Sequence, residues 1–306
     1  MSSIASASAG AVDPMLARRE EIQRVTQARV RRRHLQSHVA MVLCWAGLVV
    51  AVLPLLAVIG YTLQRGLPAW SVGFFTNLPT PAGVPGGGIS NAIIGTLIID
   101  GMAAVMAVPL GVGTAVYLAA STSRTAAVLR FSSDVLAGIP SIVIGVFAYT
   151  ILVVTLGHFS AISASFALAM LMLPLIIRSS EIALRSVPHE LVEAGEALAF
   201  PEWAITWRVA LPVALPGVVT GVLLGVARAA GETAPLLFTA IGSQYWSVSL
   251  TKPIAAMPLV IFLNGVQAYK DLQQVAWGTA LALITVVFIL NIAARLWTAL
   301  IRRSMK

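Results

Sequence analysis

Six stretches of this chain, near residues 39–63, 90–119, 127–156, 160–178, 213–240 and 274–298, are apolar enough and long enough to cross a lipid bilayer. A spanning helix needs about 20 such residues, because the hydrocarbon holds no water to satisfy an unpaired backbone group. That requirement leaves little of the 306 residues for any other architecture. Composition agrees: 58% of residues are hydrophobic and 10% charged, where a soluble domain carries about 25% charged. The fold class expected is an all-α polytopic membrane protein with six transmembrane helices.

A net charge of +8 could point to nucleic acid, but its distribution excludes that reading. With the N-terminus in the cytoplasm, Arg18, Arg19, Arg24, Arg29, Arg31, Arg32 and Arg33 lie inside, as do Arg124, Arg130, Arg178, Arg185, Arg208, Arg295, Arg302, Arg303 and Lys306. Only Arg65, Lys252 and Lys270 fall outside, with Arg228 inside a span. This is the positive-inside pattern, and it places both termini in the cytoplasm. Residues 1–37 then form a basic tail and 38–306 the transmembrane domain. Met1 to Ala11 has the composition of a disordered segment. The run from Arg18 to Arg33 reads either as a solvated topogenic tail or as a helix on anionic membrane lipid, where each basic residue contributes about 1 kcal/mol. It is too long, and followed by too long a span, for a cleaved signal peptide. The one cysteine, Cys44, has no second thiol to pair with, so neither a disulfide nor a thiolate metal cluster is expected.

Charges within the spans are the candidate functional residues, because each costs about 2.5–3.5 kcal/mol at a helix centre unless it faces protein or water. Asp100 lies in the second span and either packs against a neighbouring helix or lines a pathway. The third opens at Asp134 and continues LAGIPSIVIGVF, where Pro140 should kink the helix. The fourth ends with Pro174, Arg178 and Glu181, and the last two have the spacing of a local ion pair. In the fifth, Glu232 follows Arg228 at i+4 and Pro235 weakens the helix beside both. An arginine in mid-membrane suits an oxyanion, whose geometry matches its fork of donors. The alternative is an Arg228–Glu232 pair that only packs helices.

One stretch is too polar for lipid. In residues 188–211, Leu191, Ala194, Gly195 and Leu198 share a helical face opposite His189, Glu190, Glu193 and Glu196. Such a helix docks its apolar stripe on a partner or lies on the leaflet. Pro201 can open a second short helix, and Pro212 and Pro216 mark the return to the membrane.

The run EAGEALAFPEWAITWRVALP resembles the EAA loop of ABC importer permeases, with Glu193, Ala194, Val209, Leu211 and Pro212 at matching positions. Gly195 stands where a second Ala is usual, and Ala199 where Gly is usual. GGGISNAIIGTL, LAGIPSIVIGVF, ARAAGETAPLLF and MPLVIF, with Trp277, resemble the PstA-type permease family of phosphate importers. The resemblance implies a type I (MetI-like) importer fold in a bacterial plasma membrane, carrying phosphate by alternating access. It implies Arg228, Glu232 and Arg178 on the anion's path, beside which Thr233 and Asp100 stand as further candidates read from the residues themselves, and it implies Glu193, Ala194, Gly195, Ala199, Leu211 and Pro212 as the coupling surface for an ATPase. The implied partners are a second, PstC-type permease, a PstB-type ATPase dimer docking on 188–211 and an extracytoplasmic PstS-type phosphate-binding protein. ATP and magnesium belong to the ATPase subunits, and no cofactor or metal is expected in this chain. It holds no GxxxxGK[ST] phosphate loop.

Sulfate or molybdate remain alternative cargoes, since ARxxGE is shared with their permeases. A proton-coupled secondary transporter would use Asp100, Arg228 and Glu232 as a relay, but leaves the amphipathic 188–211 segment unexplained. An intramembrane hydrolase would need a buried base beside a nucleophile. His34, His38, His158 and His189 all fall in loops or at span ends, which argues against it.

Overall fold

A computed structural model describes residues 14–84 and 86–304. The expected disorder of residues 1–11 lies outside them, as does Lys306. The described secondary structure is helical, apart from one isolated bridge between Ile241 and Ile254. The principal helices are α1 (Pro14–Gly66), α2 (Ser90–Ala120), α3 (Arg124–Gly138), α4 (Ser141–Leu156), α5 (Ala161–Arg185), α6 (His189–Ala197), α7 (Glu202–Ala229), α8 (Ala234–Thr239), α9 (Met257–Gly265) and α10 (Lys270–Ser304). Among the described residues, five helices are long and apolar enough to cross a membrane, and six if the bent pair α3–α4 counts as one span.

By internal contacts the chain divides after Tyr61. The first unit carries most of α1, whose backbone is helical from Pro14 through the basic run and into the apolar stretch. Val42, Leu43, Trp45 and Val50 are all exposed there, so this helix presents apolar side chains of the kind lipid or a neighbouring subunit covers.

The second unit, from Thr62 onward, holds the packed core. Along its centre α2 and α5 run in contact, burying Ile99, Ala103 and Ala107 against Leu168, Met172 and Ile176. Ile144 of α4 and Leu236 of α8 close the same cluster. Small residues dominate the α2 side of this seam. Lipid tails are as apolar as the side chains, so helices in a bilayer associate through close packing rather than through escape from water. A second cluster forms around Phe74, Ile89, Met257 and Leu283, and a third joins Ala115 of α2 to Leu184 of α5 and to Ala214 and Val218 of α7.

Three expected spans are altered. The third is no kinked helix: α3 and α4 meet at 102°. The residue before a proline is forced from helical to extended backbone, and Ile139, before Pro140, sits at φ −73° and ψ 129°, which ends α3 at Gly138. The fourth span continues past residue 178 to Arg185. The fifth begins earlier, at Glu202, and stops at Ala229, well short of residue 240. Pro235 has no N–H to give the carbonyl of Gly231, so the chain turns through 230–233 and restarts as α8, where a proline near a helix start leaves no donor missing. The Gly- and Pro-rich segment before α2 is ordered by contacts rather than by regular structure. Its Gly83, at φ +81°, donates its N–H to Asp271 Oδ2 at 2.8 Å.

Candidate anion pathway and coupling surface

Arg228 occupies the last turn of α7, and its place is set by how closely that helix approaches α5. Gly217, Gly221 and Gly225 recur every fourth residue and so share one face. A Cβ on Gly217 would come within 2.6 Å of Ala183 Cβ, one on Gly225 within 3.3 Å of Ile176, and one on Gly221 would collide with Ser179 Oγ. A basic residue in a final turn also complements the exposed carbonyls there. Arg228 Nε stands 3.7 Å from Glu232 Oε1, across the turn that ends the helix. Arg178 projects from α5, one turn after Pro174, and its Nη1 lies 3.9 Å from Asp134 Oδ1 of α3.

These residues meet at one cavity of about 170 Å³, lined among others by Ser133, Asp134, Pro174, Leu175, Arg178 and Arg228. Two guanidinium groups from different helices therefore face one small space. The arginine side chains are 60% and 61% exposed, and neither carboxylate comes within direct hydrogen-bond range. Glu232 and Thr233 lie in the turn between α7 and α8 and do not line this cavity. Asp100 is buried in α2, consistent with a carboxyl facing protein, and does not line it either.

The expected Arg178–Glu181 pair is absent. Buried Glu181 instead accepts from Arg130 Nε at 2.8 Å and forms an ion pair with Arg185, whose Nη2 lies 3.0 Å from the same oxygen. Arg130 also donates to the carbonyls of Leu118 and of Ser121, the latter at 3.1 Å, and Arg185 donates to that of Leu118 at 3.2 Å. These carbonyls lie at the end of α2, where no further turn supplies an N–H to them. Glu181 is therefore held by α3 and by its own helix, and Arg178 is free to pair with Asp134. Asp134, read from sequence only as the opening of a span, belongs to the site. The signal was the same order of charge on both helices, Arg130 then Asp134 and Arg178 then Glu181, which two helices facing crosswise can satisfy from one to the other.

In the polar stretch, α6 ends in a Schellman arrangement: Phe200 N–H bonds Gly195 O at 3.1 Å and Ala199 N–H bonds Glu196 O at 2.8 Å. Ala199 takes φ +56°, the left-handed conformation that the glycine usual in importer permeases would adopt freely. The turn expected at this position therefore forms with alanine. Gly195, expected on the apolar outer face, turns inward: a Cβ there would lie 3.1 Å from Ile205. Leu191, Leu198, Phe200 and Trp203 remain exposed, beside an exposed Glu193. The second short helix is the first turn of α7, which continues without a break through a wide turn at Thr206–Ala210, just before Leu211 and Pro212. Pro212 withholds a donor from the turn before it, and a widened turn accommodates that loss.

The sequence pattern described as "Binding-protein-dependent transport system inner membrane component" matches residues 107–306. The chain belongs to that family. It is an inner-membrane permease of several spanning helices, not an enzyme. Among its relatives, the phosphate transport system permease protein PstA of Yersinia pestis is 39% identical over 265 residues, covering 86% of this chain and 90% of that one. PstA 1 of Mycobacterium tuberculosis (strain CDC 1551 / Oshkosh) is 40% identical over 274 residues, covering 86% and 88%. This permease thus stands among PstA-type phosphate transport permeases. In fold it resembles the inward-facing MetNI methionine ABC transporter, at a TM-score of 0.58 and 20% identity over 70% of this chain and 95% of that one.

Proposed function

We propose that this permease carries inorganic phosphate into the cytoplasm by alternating access, and that Arg228 and Arg178 are the groups the anion meets on the way. The observation that carries this reading is the single small cavity shared by both arginines, each beside a carboxylate too distant to occupy its donors. A guanidinium with free donors binds a tetrahedral oxyanion through two parallel hydrogen bonds. The names of the relatives, phosphate transport permeases over most of their length, support the same cargo.

The permease works beside a second, PstC-type permease and receives phosphate from an extracytoplasmic PstS-type binding protein. A PstB-type ATPase dimer docks on 188–211, where Leu191, Leu198 and Trp203 offer exposed apolar contacts beside Glu193. ATP and magnesium are bound by those ATPases, and both termini of this chain face them in the cytoplasm.

The test is radiolabelled phosphate uptake in cells lacking this gene, complemented with wild type or Arg228→Gln, in the presence of sulfate or molybdate. Wild type should restore uptake, Arg228→Gln should abolish it with the complex still assembled, and neither competitor should matter. Full competition by sulfate would reassign the cargo; undiminished uptake by the variant would remove Arg228 from the path.

A further inference from the structure

We propose that Asp134 is the resident counter-ion of the anion site: its carboxylate attends Arg178 while the pathway is empty and is displaced by the entering oxyanion, so that it sets how tightly the cargo is retained. The inference rests on the pathway reading above. Two helices supply its geometry. On α3, Arg130 and Asp134 stand one turn apart, and on α5, Arg178 and Glu181 follow with the same order of sign, so that the helices pair crosswise. One rung, Arg130 to Glu181, closes to 2.8 Å with side chains 26% and 7% exposed. The other, Arg178 to Asp134, stands open at 3.9 Å with side chains 60% and 65% exposed. A charge-assisted N–H···O bond closes to about 2.7–2.9 Å. The first rung is such a bond and the second is not.

Asp134 therefore attracts Arg178 without filling its donors. Arg228, the other arginine of the cavity, stands in the same relation to Glu232 at 3.7 Å. The space of about 170 Å³ is ample for several waters, which suits a small inorganic anion with part of its hydration. Once there, the anion takes the fork of Arg178 and meets the carboxylate of Asp134 as a like charge. Arginine gives the hold and aspartate limits it, so the anion can leave as well as enter.

The test uses the assembled complex with its ATPase subunits. Equilibrium binding of radiolabelled inorganic phosphate is measured without the binding protein, and uptake is measured after reconstitution into liposomes. Asp134→Asn should bind phosphate more tightly, by up to about fivefold, the range open to an exposed charge pair, and should turn over more slowly. Asp134→Glu, which keeps the charge, should bind phosphate less tightly than Asp134→Asn does. Arg178→Gln should depress uptake, and adding Asp134→Asn should recover part of it, because the bare carboxylate is gone. Unfolding midpoints of all these variants should coincide. The proposal fails if Asp134→Asn binds no more tightly than wild type, if the double variant is no better than Arg178→Gln, or if the changes follow the unfolding midpoints. Arg228→Gln in the same assay keeps the two readings apart. Lost uptake there with unaltered Asp134 variants discards the counter-ion alone, whereas undiminished uptake discards the pathway.

Discussion

The two groups of charge on α3 and α5 use the same residue types one turn apart, yet one is built to stay closed and the other to open. Around Glu181 the carboxylate is buried, two arginines reach it at 2.8 and 3.0 Å, and their remaining donors close the end of α2. Around Arg178 and Arg228 the carboxylates stand at 3.9 and 3.7 Å and the arginines are largely exposed. Burial makes the difference. A buried charge without full satisfaction is costly, so Glu181 holds two arginines that also donate to the carbonyls ending α2. An exposed pair gains little from closing, so its donors stay available.

Three substitutions would break or sharpen this contrast. Glu181→Ala should have the largest effect on stability, about 3–5 kcal/mol, because it leaves two arginines facing a buried site without their carboxylate. The check is a thermal scan of the purified complex, and an unchanged transition would mean that the group is not a structural lock. Gly221→Val comes next, at about 1–3 kcal/mol, since a larger side chain is forced into Ser179. It should also weaken phosphate binding by shifting Arg228 while leaving the bonds of Glu181 intact; a loss of stability with full phosphate binding would show that the spacing of α5 and α7 does not set the cavity. Arg178→Gln should cost the least stability, below about 1 kcal/mol, with most of its effect on transport. Unfolding as severe as that of Glu181→Ala would erase the distinction between the two groups.

Much of this was legible in the sequence. The spans follow from apolar length, the polar stretch of 188–211 from its helical periodicity, and Arg228 from the cost of an arginine among apolar residues. At Ala199 the sequence argued against a sharp turn, because alanine stands where glycine is usual, yet the residue takes φ +56° and the turn closes. Partners across space were not legible. Spacing offered Glu181 to Arg178, but Arg130, 51 positions earlier in the chain, takes it instead. Pro140 and Pro235 announced irregularity without its size: the same residue produces a bend or a complete break according to what packs beside it. The role of Asp134 was hidden for the same reason, since its partner comes from another helix.

The glycines of α7 carry one more consequence. Held against α5 at Gly217, Gly221 and Gly225, α7 cannot part from its neighbour without opening a seam that nothing else fills. The segment from 186 to 201 leaves from one of these helices and returns through the other, so it is anchored at both ends to a single stiff block. Parting α7 from α5 would leave the glycine face without packing partners, so displacing this segment costs less when the two helices move as a pair than when they separate, and Arg228 sits in the turn of α7 most distant from it.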